Sequence, residues 1–440
     1  MGLSGDRTRP ANFEGCSELP VKRILFLATT TGYQTRMFGE AAERLGVKLV
    51  FATDRCDRLD DPWWDSAISI RFHQEAASVD AILRALDHAP PDGIVAVGDR
   101  ATRIAAFAAT LFGLPGHPPE AVAAARDKRL TRDRLQAARL PAPWYLTLPV
   151  DADPIAYAAK VPLPVVVKPL SLCGSRGVMR ADTPAEFVAV FERLQRLLRA
   201  ADVRAMQDAA SDAIQIESFI AGREYALEAV LHHGALRPLA LFDKPEPLDG
   251  PFFEETIYIT PSRAPESVQL QIRDAVADAA RALGLYHGPI HGECRVNAQG
   301  VFVLEVAARP IGGLCARALE FDGPGGARVG LEELLLRHAL GESPEPWIRV
   351  PDASGVMMIP IPRGGVYRRT DGVDEAKHVP GVWHVQMTAK PDQQLVPLPE
   401  GASYLGFIFA KGESPEIVEA ALRAAHARLS FVIDRAVPIV

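Results

Sequence analysis

The sequence predicts a chain of mixed α/β and α+β class in three folded parts, and three observations carry that reading. Strand-like and helical runs alternate between residues 21 and 97. Gly- and Pro-rich breaks fall near residues 113 to 120 (GLPGHPPEA) and at 342 to 346 (ESPEP). Between the breaks, two apolar β-type runs flank the turn Asn297-Ala298-Gln299-Gly300.

Composition bounds the rest. A chain of 440 residues has room for two to four domains with substantial cores. Apolar content of 48% and charge content of 23% are those of a soluble globular protein. The net charge of −7 leaves no nucleic-acid footprint, so anionic small substrates would need local positive groups. No run reaches the length of a membrane span. Residues 1–20 lack an apolar core, which argues against a signal peptide and for a disordered lead-in. The cysteines, Cys16, Cys56, Cys173, Cys294 and Cys315, are odd in number and show no paired metal spacing. Reduced thiols in a cytoplasmic protein fit that pattern.

In the first part, residues 21–118, Val21 to Ala28, Val47 to Ala52 and Gly93 to Val97 read as strands, with helices ending near Gly46 and over Ala76 to Asp87. That alternation implies a parallel sheet with covered faces, and loops after such strands are natural ligand sites. Thr30, Thr31, Gly32, Asp54, Gly98 and Asp99 are therefore either cleft residues or ordinary turn formers and caps. The second part, residues 119–345, opens on a basic helix that carries Lys128 and should stop before Pro141. Val161 to Pro169 is a short strand ending in Lys168, followed by the glycine loop SLCGSRGV. Lysine at a strand end before such a loop suits phosphate, although it is not a Walker A order. Ile214 to Ile216 reads as a strand, Glu217 to Ile220 as a connector and Tyr225 to Leu231 as another strand. Exposed connector backbone can meet an adenine edge, and Glu224 can take ribose hydroxyls; an ordinary hairpin with exposed acids is the other reading. The segment LFDKPEPLDGPFFEETIYITPS, Leu241 to Ser262, is long for a connection without a function. In it Glu254, Glu255 and Tyr258 can read a substrate amine. Pro265 to Leu283 and Leu331 to Leu340 are helical. The last part, residues 346–440, alternates strands (Val356 to Ile361, Val382 to Met387, Tyr404 to Lys411) with a helix, Pro415 to Ser430, and shows no chemistry of its own.

The hairpin carries the sharpest signal. If Glu293 pairs with Glu305, the midpoint is Gln299, and a three-residue loop, Ala298 to Gly300, fits with Gly300 at positive φ. Two carboxylates then sit side by side, which destabilises a sheet unless a cation intervenes. Oxygen donors of this kind suit Mg²⁺ that also holds phosphates. Arg309 follows Glu305 by an even step and would share the face if the strand persists.

Taken in order, Lys128, VVVKP with its glycine loop, ESFIAGREYALE and HGECRV…FVLEVAARP resemble the ATP-grasp superfamily over residues 119 to 345. EETIYITPS and EVAARPIGG resemble its carboxylate–amine ligases of the L-amino-acid ligase type. The resemblance implies an ATP-grasp fold preceded by a Rossmann-like domain and followed by a small α+β domain. It implies that Lys128 and Lys168 hold the nucleotide phosphates and that the loop Ser171 to Gly177, with Gly174 and Ser175, closes over them. Glu217 and the backbone of Phe219 and Ile220 would meet the adenine, and Glu224 the ribose. Glu293 and Glu305 would carry Mg²⁺ (or Mn²⁺), Arg309 would steady an acyl phosphate, and Glu255 and Tyr258 would contact the first substrate's amino group. Ala307 stands where many members place a metal-binding asparagine, and Tyr258 where some have histidine. Gly312 and Gly313 would leave room for a bulky substrate or a close backbone approach. The implied partners are ATP and small carboxylate and amine substrates, amino acids foremost, with a homodimer as a common family state. The rivals are a biotin-dependent or purine-pathway carboxylase of the same superfamily and a non-catalytic nucleotide-binding regulator.

Overall fold

The structure is a computed structural model and describes residues 21–29, 34–54 and 67–435. The expected lead-in, Thr30, Thr31, Gly32, Cys16 and Cys56 lie outside the described residues.

The first part is a four-stranded parallel sheet in the order Ile68–Ser69, Lys48–Thr53, Arg23–Leu27, Gly93–Ala96. Its central strand, RILFL, is apolar without alternation because both faces are covered. Leu25 and Leu27 pack with Val79, Ile82 and Ile104 from helices Glu75–Leu86 and Asp99–Phe112. Ile24 and Phe26 pack with Phe38 and with Leu331, Leu334 and Leu335 of helix Leu331–Ala339, which belongs to the second part.

The expected single basic helix is two, Pro119–Arg126 and Lys128–Ala137. Asp127 between them is extended (φ −95°, ψ 113°), and its carboxylate accepts the Leu130 N–H at 3.0 Å. An aspartate N-cap of this kind ends one helix and starts the next, and it makes Lys128 a first-turn residue. A four-stranded sheet, Tyr145–Pro149, Ala213–Ser218, Val165–Pro169 and Met179–Ala181, is backed by helix Pro184–Leu198. Glu217 and Ser218 thus lie in a strand, not in the connector expected there.

The large sheet has eight antiparallel strands, in order Gly300–Ala307, Gly288–Asn297, Arg223–His232, Ala235–Asp243, Ile257–Thr260, Ala353–Ile359, Gly406–Gly412 and Val382–Met387. The last three strands come from the part expected to begin at residue 346. The break there does not divide the sheet, because Ile257–Thr260 pairs directly with Ala353–Ile359.

The hairpin differs from expectation in one instructive way. Asn297 pairs with Gly300, so the loop is the two residues Ala298 and Gln299. Glu293 nonetheless faces Glu305, because the register shifts by one residue at Leu304. That β-bulge changes the parity of the strand. Val301 and Val303 point at helix Glu266–Leu283, and beyond the bulge Val306 does so. Were Leu304 instead paired in a regular ladder, Glu305 would fall opposite Gly292, share the face of Val301 and Val303 and be driven into that helix.

Candidate active site

One face of the large sheet is polar by strict alternation. Glu224, Ala226 and Glu228 on one strand stand opposite Arg295, Glu293 and His291 on the next. Arg295 Nε donates to Glu224 at 3.0 Å, and His291 Nδ1 lies 3.0 Å from Glu228. The small Ala226 opposite Glu293 leaves space into which Lys244 reaches from the end of strand Ala235–Asp243. Its ammonium lies 2.8 Å from Glu224, 2.6 Å from Glu255 and 2.9 Å from Glu293. These three carboxylates are spaced closely enough to hold a metal ion, but a protein cation already fills the position.

The charges settle accordingly. Burial would lower the Lys244 pKa, but the three carboxylates outweigh it and hold it well above the ordinary lysine value. Burial would raise Glu293; Lys244 and His291 outweigh it and hold that carboxyl well below its usual range. Glu255 goes the other way, pushed up to about 7 by burial and by the neighbouring Glu293 charge. His291 is raised to about 9: burial opposes its charge, and Glu228 and Glu293 overcome that.

Two adjoining pockets share this face. The inner one is lined by Lys128, Val166, Lys168, Val178, Glu217 to Ile220, Glu224, Phe253, Glu293, Arg295, Leu304 and Glu305. Lys168 Nζ lies 2.5 Å from Glu217, which also accepts from Arg132 at 2.9 and 3.2 Å and from Gln215 at 2.8 Å. Burial lowers the Lys168 ammonium to about 8. Against burial, Arg132 and Lys168 hold Glu217 at about 2. Both carboxylate oxygens of Glu217 are thus engaged within the protein, and its strand is paired on both sides, with Tyr145 and Val166 as its partners. Arg132 also donates to the Leu304 carbonyl at 2.8 Å, tying this ion cluster to the bulge. Phe219 is gripped between the Arg180 and Arg295 guanidinium groups, 4.0 and 5.1 Å from its ring centre.

The outer cleft brings together Gly98, Asp99, Lys128, Leu172 to Ser175, Glu255, Tyr258, His291, Glu293, Glu305 and Arg309 to Gly313. Arg309 lies beyond the end of its strand at Ala307, yet it reaches the cleft and donates to Asp99 at 3.0 Å. Burial lowers its pKa, but Asp99 and Glu305 together raise it. Lys128 Nζ is 3.5 Å from Glu305 and 3.3 Å from the Leu172 carbonyl. Tyr258 donates to Glu255 at 2.7 Å. A Cβ on Gly312 would meet nothing within 4 Å, so the expected room is there; Gly313 sits at φ +61° against Phe407 and is needed for its backbone.

Two expected loop residues are not on a pocket wall. Ser171 Oγ turns to Asp208 at 3.0 Å. Gly177 packs under Leu194 and Leu197 and donates its N–H to the Pro399 carbonyl at 2.8 Å. Arg176 beside it donates to the Glu400 carbonyl at 2.7 Å, so the glycine loop is fastened to the last part of the chain. Glu254 and Asp54 line neither pocket. The last part, expected to carry no chemistry, supplies Met358, Ala402, Ser403, Tyr404 and Phe407 to the outer wall. Sequence reasoning also missed Lys244, His291, Arg295 and Arg132. The even-step rule used for Glu305 and Arg309, applied to HGECR, would have found His291 and Arg295 beside Glu293. Cys173 is exposed to the cleft, where desolvation and the nearby Asp99 carboxylate raise its thiol.

Known proteins match this chain in sequence and in fold. The ATP-grasp domain description matches residues 161–318, the ATP-grasp N-terminal domain 39–116, and the L-amino acid ligase C-terminal domain 2 residues 357–434. The chain is 30% identical over 237 residues to a D-alanine--D-alanine ligase of Ralstonia pickettii, covering 53% of this chain and 69% of the relative. It is 30% identical over 262 residues to carnosine synthase 1 of Gallus gallus, covering 58% of this chain and 28% of the relative. The crystal structure of an L-amino acid ligase from Bacillus licheniformis superposes with a TM-score of 0.79 at 28% identity, covering 94% of this chain and 99% of that one. The chain belongs to the ATP-grasp superfamily, among its carboxylate–amine ligases of the L-amino-acid ligase type. It spans only 28% of the carnosine synthase and 64% of an uncharacterized relative from Sinorhizobium fredii.

Proposed function

We propose that the chain is an ATP-dependent ligase that joins an amino-acid carboxylate to an amine through an acyl phosphate. The observation that carries this reading is that Glu293 and Glu305 line both pockets at once. A nucleotide in the inner pocket and a carboxylate in the outer cleft would meet at that pair.

The pair also fits the metal that the family implies. Both groups are hard oxygen donors, and Glu305 is 28% exposed with Lys128 as its ion-pair neighbour at 3.5 Å. Mg²⁺, or Mn²⁺, supplies charge neutralisation to the transferring phosphoryl group when bound. The chain's own residues do the rest. Lys168 and Lys128 place positive charge on the nucleotide side, where phosphate oxygens would take over part of their pairing with Glu217 and Glu305. The clamped Phe219 and the backbone of Ile220 form the wall against which a base can lie. In the outer cleft Glu255, Tyr258 and Glu293 make an acidic wall for an ammonium group. An arriving cation would favour the ionised form of Glu255, whose pKa of about 7 leaves it poised near neutrality. Met358, Tyr404 and Phe407 add an apolar and aromatic wall for a side chain.

The substrate carboxylate oxygen attacks the γ-phosphorus and ADP leaves. The amine nitrogen then attacks the carbonyl carbon, loses a proton, and phosphate departs. Arg309, held by Asp99, faces the oxyanion that forms between those two events. With an amino acid as the amine, the product is a dipeptide. No cysteine is required.

Phosphate release across a matrix of amino acids, dipeptides and polyamines, with product masses, tests the reading. A heavy-oxygen label on the carboxylate substrate should pass to the released phosphate. Nucleotide binding without turnover across the matrix, or ADP release that depends on bicarbonate and biotin, would overturn it.

A further inference from the structure

A second cluster of ligating side chains lies away from the glutamate pair. His232 ends strand Arg223–His232, His287 immediately precedes strand Gly288–Asn297, and His338 lies in helix Leu331–Ala339. One ring nitrogen from each falls within 4.8 Å of the others. We propose that these three histidines form a site for a borderline transition-metal ion, Zn²⁺ by chemical class, with water in the fourth position.

Geometry carries the proposal. His232 Nδ1 and His338 Nε2 are 3.2 Å apart, close to the separation of about 3.3 Å that two nitrogens take on a tetrahedral ion at ~2.0–2.1 Å. His287 is hydrogen-bonded to the His338 backbone, an outer contact of the kind that orients a ligating imidazole, and its Nδ1 accepts a long bond from the His233 N–H at 3.4 Å, which an ion would have to replace. The His287 and His338 rings stack at 4.3 Å with 14° between their planes, so one of them must turn for both lone pairs to converge. His287 and His338 are buried, and burial lowers them to about 4 and about 3, helped by the neighbouring rings of His233 and His232 at the first and of His287 and His232 at the second. Uncharged imidazole is the form that binds metal.

The neighbouring His117 lies outside the cluster of converging ring nitrogens and is held by shorter contacts. Its Nδ1 accepts the Tyr286 N–H at 3.1 Å and its Nε2 lies 3.3 Å from the Pro289 carbonyl, so both nitrogens are engaged. The site is separate from the glutamates: His287 precedes Glu293 by six residues along the chain, about 20 Å at a strand rise of ~3.3 Å. An ion there would join the ends of two neighbouring interior strands to the helix Leu331–Ala339.

The test uses the full chain without a histidine tag, stripped of metal and titrated with Zn²⁺ in the absence of ATP and Mg²⁺. One Zn²⁺ per chain is expected, and Co²⁺ should give the intense visible bands of a four-coordinate site. His338→Gln and His232→Gln should each weaken binding by more than the ~10–100-fold that loss of an outer contact costs. Glu305→Gln and the exposed His88→Gln should leave it unchanged. Should His338→Gln fail to fold, His232→Gln, at a half-buried strand end, decides alone. Absence of stoichiometric Zn²⁺ in the parent chain, binding that survives the histidine substitutions, or binding lost in Glu305→Gln would each overturn the site.

Discussion

Glu293 and Glu305 face each other across one hairpin, yet their surroundings are opposite in kind. Around Glu293 stand Lys244 at 2.9 Å, Tyr258 at 3.4 Å and His291 at 3.5 Å. Beside Glu305, the ion-pair neighbour among the described residues is Lys128, at 3.5 Å. One carboxylate is therefore fixed by the fold, and the other stands open to whatever the pocket binds. Substitutions on the Glu293 side should register in stability as well as activity; on the Glu305 side they should register in activity.

Lys244→Met should have the largest effect. It leaves Glu224, Glu255 and Glu293 without their common cation, and stranding buried charge costs about 3–5 kcal/mol. Denaturant unfolding measures it, and an unchanged midpoint would break the comparison. Next comes Glu305→Gln, expected to slow ADP release about 10²–10³-fold. Its stability should stay within about 1 kcal/mol of the parent, since a partly exposed pair at 3.5 Å contributes little. Full turnover would remove Glu305 from the chemistry, and a large stability loss would erase the contrast with Glu293.

The inner pocket sharpens the comparison through pH. Glu217 titrates at about 2 in the folded chain, below its ordinary value of 4.5. Its pairing therefore stabilises the fold fully above pH 4.5, and that contribution is lost as pH falls from 4.5 toward 2. Glu217→Gln should flatten this acid limb in melts taken across the range; a limb of unchanged steepness would assign it to other carboxylates. The smallest effect is expected from Tyr258→Phe. Losing the 2.7 Å bond to Glu255 should cost about 1 kcal/mol and raise KM for the ammonium substrate a few-fold while kcat holds. A drop in kcat with KM unchanged would move Tyr258 from binding to chemistry.

How much of this was legible depends on the range over which each feature is encoded. The N-terminal strands were readable because RILFL and its neighbours are continuous apolar runs between turn signals. Glu293, Glu305 and Lys168 were readable as neighbours of one cleft because residue type, strand position and order along the chain coincide, whereas Arg309 lies past its strand end at Ala307 and reaches the cleft from the loop beyond. Lys244 was not: a lysine in a Pro-rich stretch looks solvated until Glu224 and Glu293 close on it from other strands. The share of the last part in the cleft was hidden for a similar reason. Periodicity places Ala353–Ile359 in some sheet, but it does not say that Ile257–Thr260 is its neighbour.

The bulge at Leu304 makes the length of this hairpin a matter of odd and even. A regular strand after the two-residue turn would place the second acid eleven residues beyond the first; here the separation is twelve, and the bulge takes up the extra residue so that the acid stays on the cleft side. Relatives that use the same pair can therefore lack this residue where their strand is regular, whereas a chain with the longer spacing and no bulge would turn its second acid away. Aligned by length alone, without that count, two such chains would seem to conserve a carboxylate that only one of them can use.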